Sequence, residues 1–225
     1  MNPIYIPAKS AEQWAQFLAE PVKHWRTGYS ARSLAYSWQE ADGFPAEVRN
    51  ALSSCPALSS LELLLAIPEH QVPLPGGSRP SQNDIWVLAR SGAGLVSIAV
   101  EGKVSEPFGP TVQEWMEDGS PGKETRLAFL CRELGIAIAP PPSLRYQLLH
   151  RAASAVIEAK RFCAPTALML VHSFSQRHLW LEDFQMFASV LGCTAAVNQV
   201  AHVGVRGGVD LYIAWVRGDE KYLSK

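Results

Sequence analysis

Hydrophobic and polar positions alternate most clearly in residues 84–103, where two runs of strand-forming residues flank residues 91–94. A four-residue hairpin loop there fixes the pairing of the two strands and places Asp84 opposite Glu101. Because successive side chains of a strand point to opposite faces, one face is predicted to be apolar throughout. That face comprises Ile85, Val87, Ala89, Val96, Ile98 and Val100. The other face carries Trp86, Leu88, Ser97 and Ala99 and ends in the charged side chains of Asp84, Glu101 and Lys103.

Elsewhere the spacing of apolar residues predicts mostly helix, with three further strands. Ser10 and Ser30 are expected to cap two helices, and Pro45 fits the first turn of a third that ends near Ser53. Later helices are predicted at residues 110–118, 123–134, 143–162 and 181–191. The further strands are predicted at residues 60–67, 166–174 and 207–216, with a long ordered loop from Glu69 to Asn83.

This order of elements predicts an α/β fold with helices on both faces of a sheet. The 225 residues are enough for one substantial hydrophobic core and do not require a second domain. We therefore expect residues 1–54 to form a helical segment packed on an α/β core of residues 55–225, within one domain overall.

Charge and cysteine content narrow the classes of function. The 20 Lys and Arg residues nearly balance the 21 Asp and Glu residues, so any surface for nucleic acid must be a local groove. The four cysteines are far apart, without the spacing of a zinc site or a disulfide framework, and we expect buried free thiols. The first ten residues lack the pattern of an export signal, and no apolar run is long enough to span a membrane. A cytoplasmic location is therefore expected.

The predicted pairing of Asp84 with Glu101 needs a compensating interaction, because like charges directly opposed on a sheet are destabilising. A bound cation, the ammonium group of Lys103 or a raised carboxylate pKa would each provide one. Mg²⁺ prefers oxygen ligands and commonly uses one or two carboxylates together with a substrate phosphate. The three residues therefore suit a centre that binds Mg²⁺ or Mn²⁺ and activates water.

An acid at the start of one strand, followed by Glu101-Gly102-Lys103 in the next, resembles the motif of the PD-(D/E)xK nuclease superfamily. The resemblance implies a restriction-endonuclease-like core with a mixed β-sheet. It also implies that Asp84 and Glu101 hold a divalent metal and that Lys103 supports catalysis. Asn83 stands where the family often has proline. The family frequently adds a glutamate from the preceding helix, a role for which both Glu40 and Glu47 are candidates.

The polar side of the longest predicted helix has two interpretations. Gln147, Arg151, Ser154, Glu158 and Arg161 lie opposite its apolar line. They are most simply a solvated face, and the alternative is that Gln147 and Arg151 reach the carboxylates or a phosphate. A second Glu-x-Lys pattern, Glu158-Ala159-Lys160, falls in this helix, where residues two apart do not share a face, and is expected on the surface.

Three further features have both a structural and a functional interpretation. The loop with Gly76 and Gly77 either makes a turn or brings Glu69, Ser81 or Gln82 to the carboxylates. Basic and aromatic residues alternate from Lys23 to Arg32, as in proteins that bind single strands, although capping of the core is the simpler interpretation. His172 is expected to be a core histidine rather than a ligand.

Two hypotheses follow from the sequence. The first is a metal-dependent nuclease that hydrolyses phosphodiester bonds, most simply of DNA bound in a local groove, with Mg²⁺ or Mn²⁺ as cofactor. The second is a catalytically silent protein that keeps this fold and binds a partner, which the near-neutral charge favours. A homodimer would suit a nuclease that cuts duplexes, although no heptad pattern indicates one.

Overall fold

The computed structural model describes residues 8–225. The strands are β1 (Glu62–Val72), β2 (Ser81–Ser91), β3 (Gly94–Lys103), β4 (Thr166–Ser173), β5 (Gln199–Arg206) and β6 (Val209–Arg217). The α-helices are α1 (Pro21–His24), α2 (Ser30–Glu40), α3 (Ala46–Ser53), α4 (Val112–Trp115), α5 (Pro121–Glu133), α6 (Tyr146–Arg161) and α7 (Leu181–Val190). Short 3-10 helices lie at Ala11–Phe17 and Glu220–Ser224. The expectation about an export signal falls largely on residues 1–7, outside the described residues.

The six strands form one mixed sheet in the order β1-β2-β3-β4-β6-β5. The first three strands are an antiparallel meander, and β4 then lies parallel to β3. A parallel neighbour requires the chain to cross over the sheet, and α6 lies within that crossover connection. β6 is parallel to β4, and β5 is antiparallel to β6. The protein therefore has a mixed α/β fold.

Two hydrophobic clusters cover the two faces of the sheet. On one face, α6 and α7 pack against inward-facing strand residues such as Met169 and Trp215. On the other face, α2 and α3 pack against residues that include Ile98 and Val100. The helical segment before β1 therefore contributes to the same core as the strands, and the prediction of helices on both faces is confirmed. Among the described residues, no helix has the length and apolar character needed to cross a membrane.

The hairpin register predicted from the sequence is confirmed. Arg90 pairs with Leu95, and the pairs continue in the same register to Ile85 with Val100. Ser91 also pairs with Gly94, so the turn itself consists of residues 92–93. All six residues of the predicted apolar face lie in one cluster.

The predicted loop between Glu69 and Asn83 is wrong in its length. β1 continues to Val72 and β2 begins at Ser81, so only residues 73–80 connect them. The sequence suggested a loop because Pro68 and the polar residues after it interrupt the apolar run. β1 is an edge strand, however, where a proline is tolerated because one side of the backbone has no partner strand.

The shortened connection is a tightly packed turn. The side chain of Arg126 in α5 donates hydrogen bonds to the carbonyl oxygens of Pro75, at 2.9 Å, and Gly77, at 3.2 Å. Gly76 has φ 78°, and a Cβ atom there would lie 2.0 Å from the carbonyl oxygen of Gly122. The glycine therefore permits both the backbone conformation and the close approach of the connection to α5.

Several smaller expectations also differ from the structure. Neither Ser10 nor Ser30 caps a helix through its side chain, and Pro45 precedes α3 as its N-cap residue. The sequence did not predict β5, an edge strand with a register shift between His202 and Gly204. The four cysteines are free thiols as predicted, but they are not buried, because three are partly exposed and Cys163 is exposed.

Candidate functional site

The charged end of the hairpin lies beside a cavity of about 700 Å³. Asp84 of β2 and Glu101 and Lys103 of β3 all line it, as predicted from the strand alternation. The extension of the observed register from Ile85 and Val100 places Asp84 across from Glu101. The structure thus brings the three residues of the predicted motif together.

Glu101 is a buried carboxylate with three polar contacts. Its Oε1 accepts hydrogen bonds from Lys103 Nζ at 2.5 Å and Gln147 Nε2 at 2.8 Å. Its Oε2 accepts one from Arg151 Nε at 2.5 Å. Burial works against ionisation of Glu101, but the charges of Arg151 and Lys103 outweigh it and lower the pKa of this carboxyl. Glu101 is therefore an anion at neutral pH, held between two cations.

Asp84 is in a different electrostatic environment. The backbone N–H of Gly102 donates a hydrogen bond of 2.7 Å to its Oδ2. Burial and the negative charge of Glu101 nevertheless raise the pKa of Asp84 to about 7. Two neighbouring carboxyl groups thus differ in protonation, because Lys103 and Arg151 hydrogen bond Glu101 directly, whereas burial and the charge of Glu101 outweigh these cations at Asp84.

Glu69 of β1 is a third acid beside the same cavity. The pairs on either side of it, Pro68 with Ile85 and His70 with Asn83, place Glu69 across from Asp84. Its φ of 54° is unusual for a non-glycine residue within a strand. Gln82 Nε2 donates a 2.6 Å hydrogen bond to its carboxylate, while burial and the charge of Asp84 raise the pKa of Glu69 to about 8. Glu69, Asp84 and Glu101 therefore form a row across three adjacent strands.

The polar side of α6 is not the solvated face that the sequence suggested. Arg151, Ser154 and Glu158 are buried, and Gln147 and Arg151 contact Glu101. The alternative reading, in which these two residues reach the carboxylates, is therefore confirmed. Glu158 is also not the surface residue expected from the second Glu-x-Lys pattern, because its carboxylate is buried 3.3 Å from His70 Nε2.

Ser81 and His150 extend the polar network beyond Arg151. Ser81 Oγ lies 2.7 Å from His150 Nδ1, and Arg151 Nη1 donates a 3.2 Å hydrogen bond to Ser81 Oγ. Burial and the charge of Arg151 lower the pKa of His150 well below its usual value, so this imidazole is neutral. His150 was not among the residues predicted from the sequence. Its spacing could have indicated it. His150 lies four residues after Tyr146, so both side chains lie on the side of α6 that lines the cavity.

The two helical glutamates suggested as a third acid lie elsewhere. Glu47 of α3 is 3.1 Å from His172 Nε2, and Glu40 at the end of α2 is 3.4 Å from Lys225 Nζ. Neither lines the cavity. Glu69 is the third acid beside Asp84 and Glu101. It lies there because β1, the edge strand that carries it, is longer than predicted. His172 is fully buried and also contacts Trp38, as expected of a core histidine.

The basic and aromatic segment between Lys23 and Arg32 forms a wall of the cavity. Lys23, His24, Arg26 and Tyr29 line the space from one side, and α6 lines it from another. The backbone N–H of Ser30 donates a 2.9 Å hydrogen bond to Glu106, which follows β3. This contact joins the wall to the strand that carries Glu101 and Lys103.

The side chains at this site could supply only part of the coordination shell of a divalent cation. Within residues 8–225, no group of three His, Cys, Asp or Glu side chains is close enough to hold a metal ion by itself. Mg²⁺ commonly takes one or two carboxylates and completes its shell with water and substrate phosphate. Burial, and next to it the charge of a neighbouring acid, raises the pKa values of Asp84 and Glu69. A cation bound by these carboxyl groups would therefore have to displace their protons.

Of the comparisons with known proteins, the one with family models gave a match. Neither the curated proteins nor the solved structures gave a significant match to this chain. A family model described as a domain of unknown function, DUF6946, matches residues 7–220 and therefore includes every residue of the carboxylate row and its partners. The chain belongs to the DUF6946 family.

Proposed function

We propose that this protein is a metal-dependent nuclease that hydrolyses phosphodiester bonds, with DNA as the first substrate to test. The proposal depends on one observation. Asp84, Glu101 and Lys103, from the neighbouring strands β2 and β3, line the same cavity. The PD-(D/E)xK resemblance of these residues, and the parallel placement of β4 beside β3 after a helix, support the same interpretation.

Asp84 and Glu101 would hold Mg²⁺ or Mn²⁺ in this proposal. The bound cation would supply a water of lowered pKa and charge neutralisation for the scissile phosphate. Asp84 enters this role partly protonated near neutral pH, so cation binding is coupled to release of a proton. Burial and the charge of Asp84 raise the pKa of Glu69 to about 8, so Glu69 too would release a proton if a cation bound beside it.

Lys103 and Arg151 have separate roles in the proposal. Lys103 Nζ contacts both Glu101 and Gln147, and its ammonium group is placed to orient a water or to stabilise negative charge developing on phosphorus. Arg151 acts as a positioning residue, because its guanidinium holds Glu101 Oε2 from α6. Gln147 fixes the other oxygen of Glu101 and accepts a hydrogen bond from Lys103.

The test is cleavage of DNA and RNA by the purified protein with Mg²⁺, with Mn²⁺ and with chelator. Asp84→Asn and Lys103→Ala are expected to reduce the rate by about 100-fold or more, measured below the melting temperature of each variant because Lys103→Ala also removes a cation from buried Glu101. Arg90→Ala removes a charge from an exposed ion pair with Glu62 outside the cavity and is the matched control. If the wild type cuts neither nucleic acid, or if all three variants cut equally well, the proposal is wrong.

The second candidate is a catalytically silent protein that binds a partner through this fold. The specific observation in its favour is that both oxygens of Glu101 are already hydrogen bonded by Lys103, Gln147 and Arg151. A closed ion-pair network of this kind also has a purely structural use. The melting temperature with and without Mn²⁺ separates the candidates, because a bound cation raises it and a closed network gives no response.

A further inference from the structure

The cavity beside the carboxylates has walls of contrasting character. Its floor carries the acids Asp84 and Glu101, and its rim carries Lys23, His24 and Arg26, with Tyr29 between the rim and α2. The rim side chains are accessible, and Tyr29 is 40% exposed. Basic groups at the mouth and an aromatic ring beside them fit a chain that is negatively charged along its backbone and carries flat rings.

The size of the cavity limits what enters it. Its volume of about 700 Å³ lies in the range of pockets that enclose one small molecule. One or two nucleotides fill such a space, whereas a duplex would have to remain outside the wall formed by the rim. The hydrogen bond from Ser30 to Glu106 ties this wall to the loop after β3.

The charge distribution also favours contact with a short segment of one nucleic-acid strand. The whole chain has a net charge of −1, so it has no general attraction for nucleic acid. The cations of the rim are few, and Lys23 already has an exposed ion pair with Glu20 at 3.3 Å. An exposed pair of this kind is weak and gives way to a phosphate. Two neutralised phosphates would suffice to hold a strand end but not to follow both strands of a duplex.

We propose that the substrate segment that enters this cavity is a single strand, with phosphates at Lys23 and Arg26 and a base stacked on Tyr29. The inference rests on the nuclease proposed above and specifies its substrate class. A single strand passing the rim would bring a phosphodiester to the carboxylates without any rearrangement of the wall. Cleavage of duplex DNA would then require a frayed end or a flipped nucleotide.

Binding is tested in the presence of chelator, so that the result does not depend on cleavage. The probe is a fluorescein-labelled oligothymidine of about six nucleotides, compared by anisotropy with a blunt duplex of about twelve base pairs. We expect the single strand to bind at least about tenfold more tightly than the duplex. The logarithm of its affinity should fall with the logarithm of salt concentration with a slope of about −1.4, as for two released counterions.

Variants of the rim locate the contact. Tyr29→Ala is expected to weaken binding about tenfold or more, whereas Tyr29→Phe keeps the stacking ring and should bind as the wild type does. Lys23→Ala and Arg26→Ala should each reduce the salt slope, while Arg132→Ala, an exposed residue that does not line the cavity, should leave it unchanged.

The outcomes separate this inference from the proposed function. Metal-dependent cleavage with equal binding of duplex and single strand, or with no effect of the rim variants, would overturn the inference and leave the nuclease intact. Rim-dependent binding of the single strand without cleavage under any metal would support the contact and defeat the nuclease. If no oligonucleotide binds, the single-strand inference is wrong whether or not cleavage is found.

Discussion

The backbone N–H of Gly102 donates a 2.7 Å hydrogen bond to Oδ2 of Asp84, which ties the start of β2 to the end of β3. This single contact holds a carboxylate next to Glu101 although the two acids repel each other. A backbone donor restrains the position of Asp84 but carries no full charge to balance it. The protein therefore keeps two acids close together without neutralising both, and this arrangement leads directly to measurable effects.

Removal of the charge at Asp84 should stabilise the metal-free protein. Asp84→Asn retains an oxygen that accepts from Gly102 and removes the repulsion with Glu101. We expect a higher melting temperature than that of the wild type at about pH 8 in chelator, and a smaller difference at about pH 5, where Asp84 is protonated in the folded state. A lower melting temperature at about pH 8 would show that the carboxylate is a net stabilising ion-pair partner.

The contribution of Asp84 and Glu69 to the stability of the metal-free protein should decrease as the pH rises from about 4 to about 8. These acids have folded-state pKa values of about 7 and about 8, above their usual values of 3.8 and 4.5. At these two groups the folded state binds more protons than the unfolded state in this window, so their contribution to the free energy of unfolding falls with increasing pH. Because the lowered pKa of His150 acts in the opposite direction, the measurement is the difference in free energy of unfolding between the wild type and the Asp84→Asn, Glu69→Gln double variant across this range. Millimolar Mn²⁺ should flatten this difference, and a wild type that gains stability relative to the double variant as the pH rises would contradict the prediction.

Loss of the Arg151 guanidinium should be strongly destabilising. Arg151→Ala leaves Glu101, which is 2% exposed, with one cation fewer in a buried setting, and such a change costs about 3–5 kcal/mol. The paired substitution of Arg151→Ala with Glu101→Gln should recover part of this loss, because the uncompensated Glu101 charge is gone and the Lys103 ammonium alone loses a partner. Chemical denaturation of the two single variants and the pair measures the coupling energy. Additive effects would mean that the two side chains do not interact.

A methyl group at Gly76 should distort the turn between β1 and β2. Gly76→Ala places Cβ 2.0 Å from the carbonyl oxygen of Gly122 at a φ of 78°. Overlap and the left-handed backbone together should cost more than about 2 kcal/mol in the free energy of unfolding. Gly92→Ala is the control, because a Cβ atom there meets nothing within 4 Å and its φ is not in the left-handed region. Equal melting temperatures for the two variants would contradict this account.

The hairpin and its charged end were predictable from the sequence because two physical rules act together. Side chains alternate along a strand, and a short turn leaves few ways to pair the strands that it joins. Arg90 therefore pairs with Leu95 as expected, and Asp84, Glu101 and Lys103 reach the same cavity. The helices on both faces followed from apolar periodicity in the same way.

The role of α6 could not be obtained from the same rules. Periodicity identifies a polar side of a helix, but it does not tell solvent from a buried polar network. Arg151 is buried because Glu101 on the neighbouring strand supplies the charge that compensates it. Glu69 was missed as a strand residue because Pro68 precedes it, and only the edge position of β1 makes that proline acceptable. Both features depend on which elements become neighbours.

The short turn at residues 92–93 has a practical consequence. Its first residue, Gly92, lies eight residues along β2 from Asp84, which corresponds to roughly 25 Å at the usual rise per residue. A Cβ atom at Gly92 meets no neighbouring atom within 4 Å. A fluorophore or spin label introduced at this turn would report on the tumbling of the whole protein without contacting the cavity, so the hairpin carries the buried charged residues at one end and an attachment point at the other.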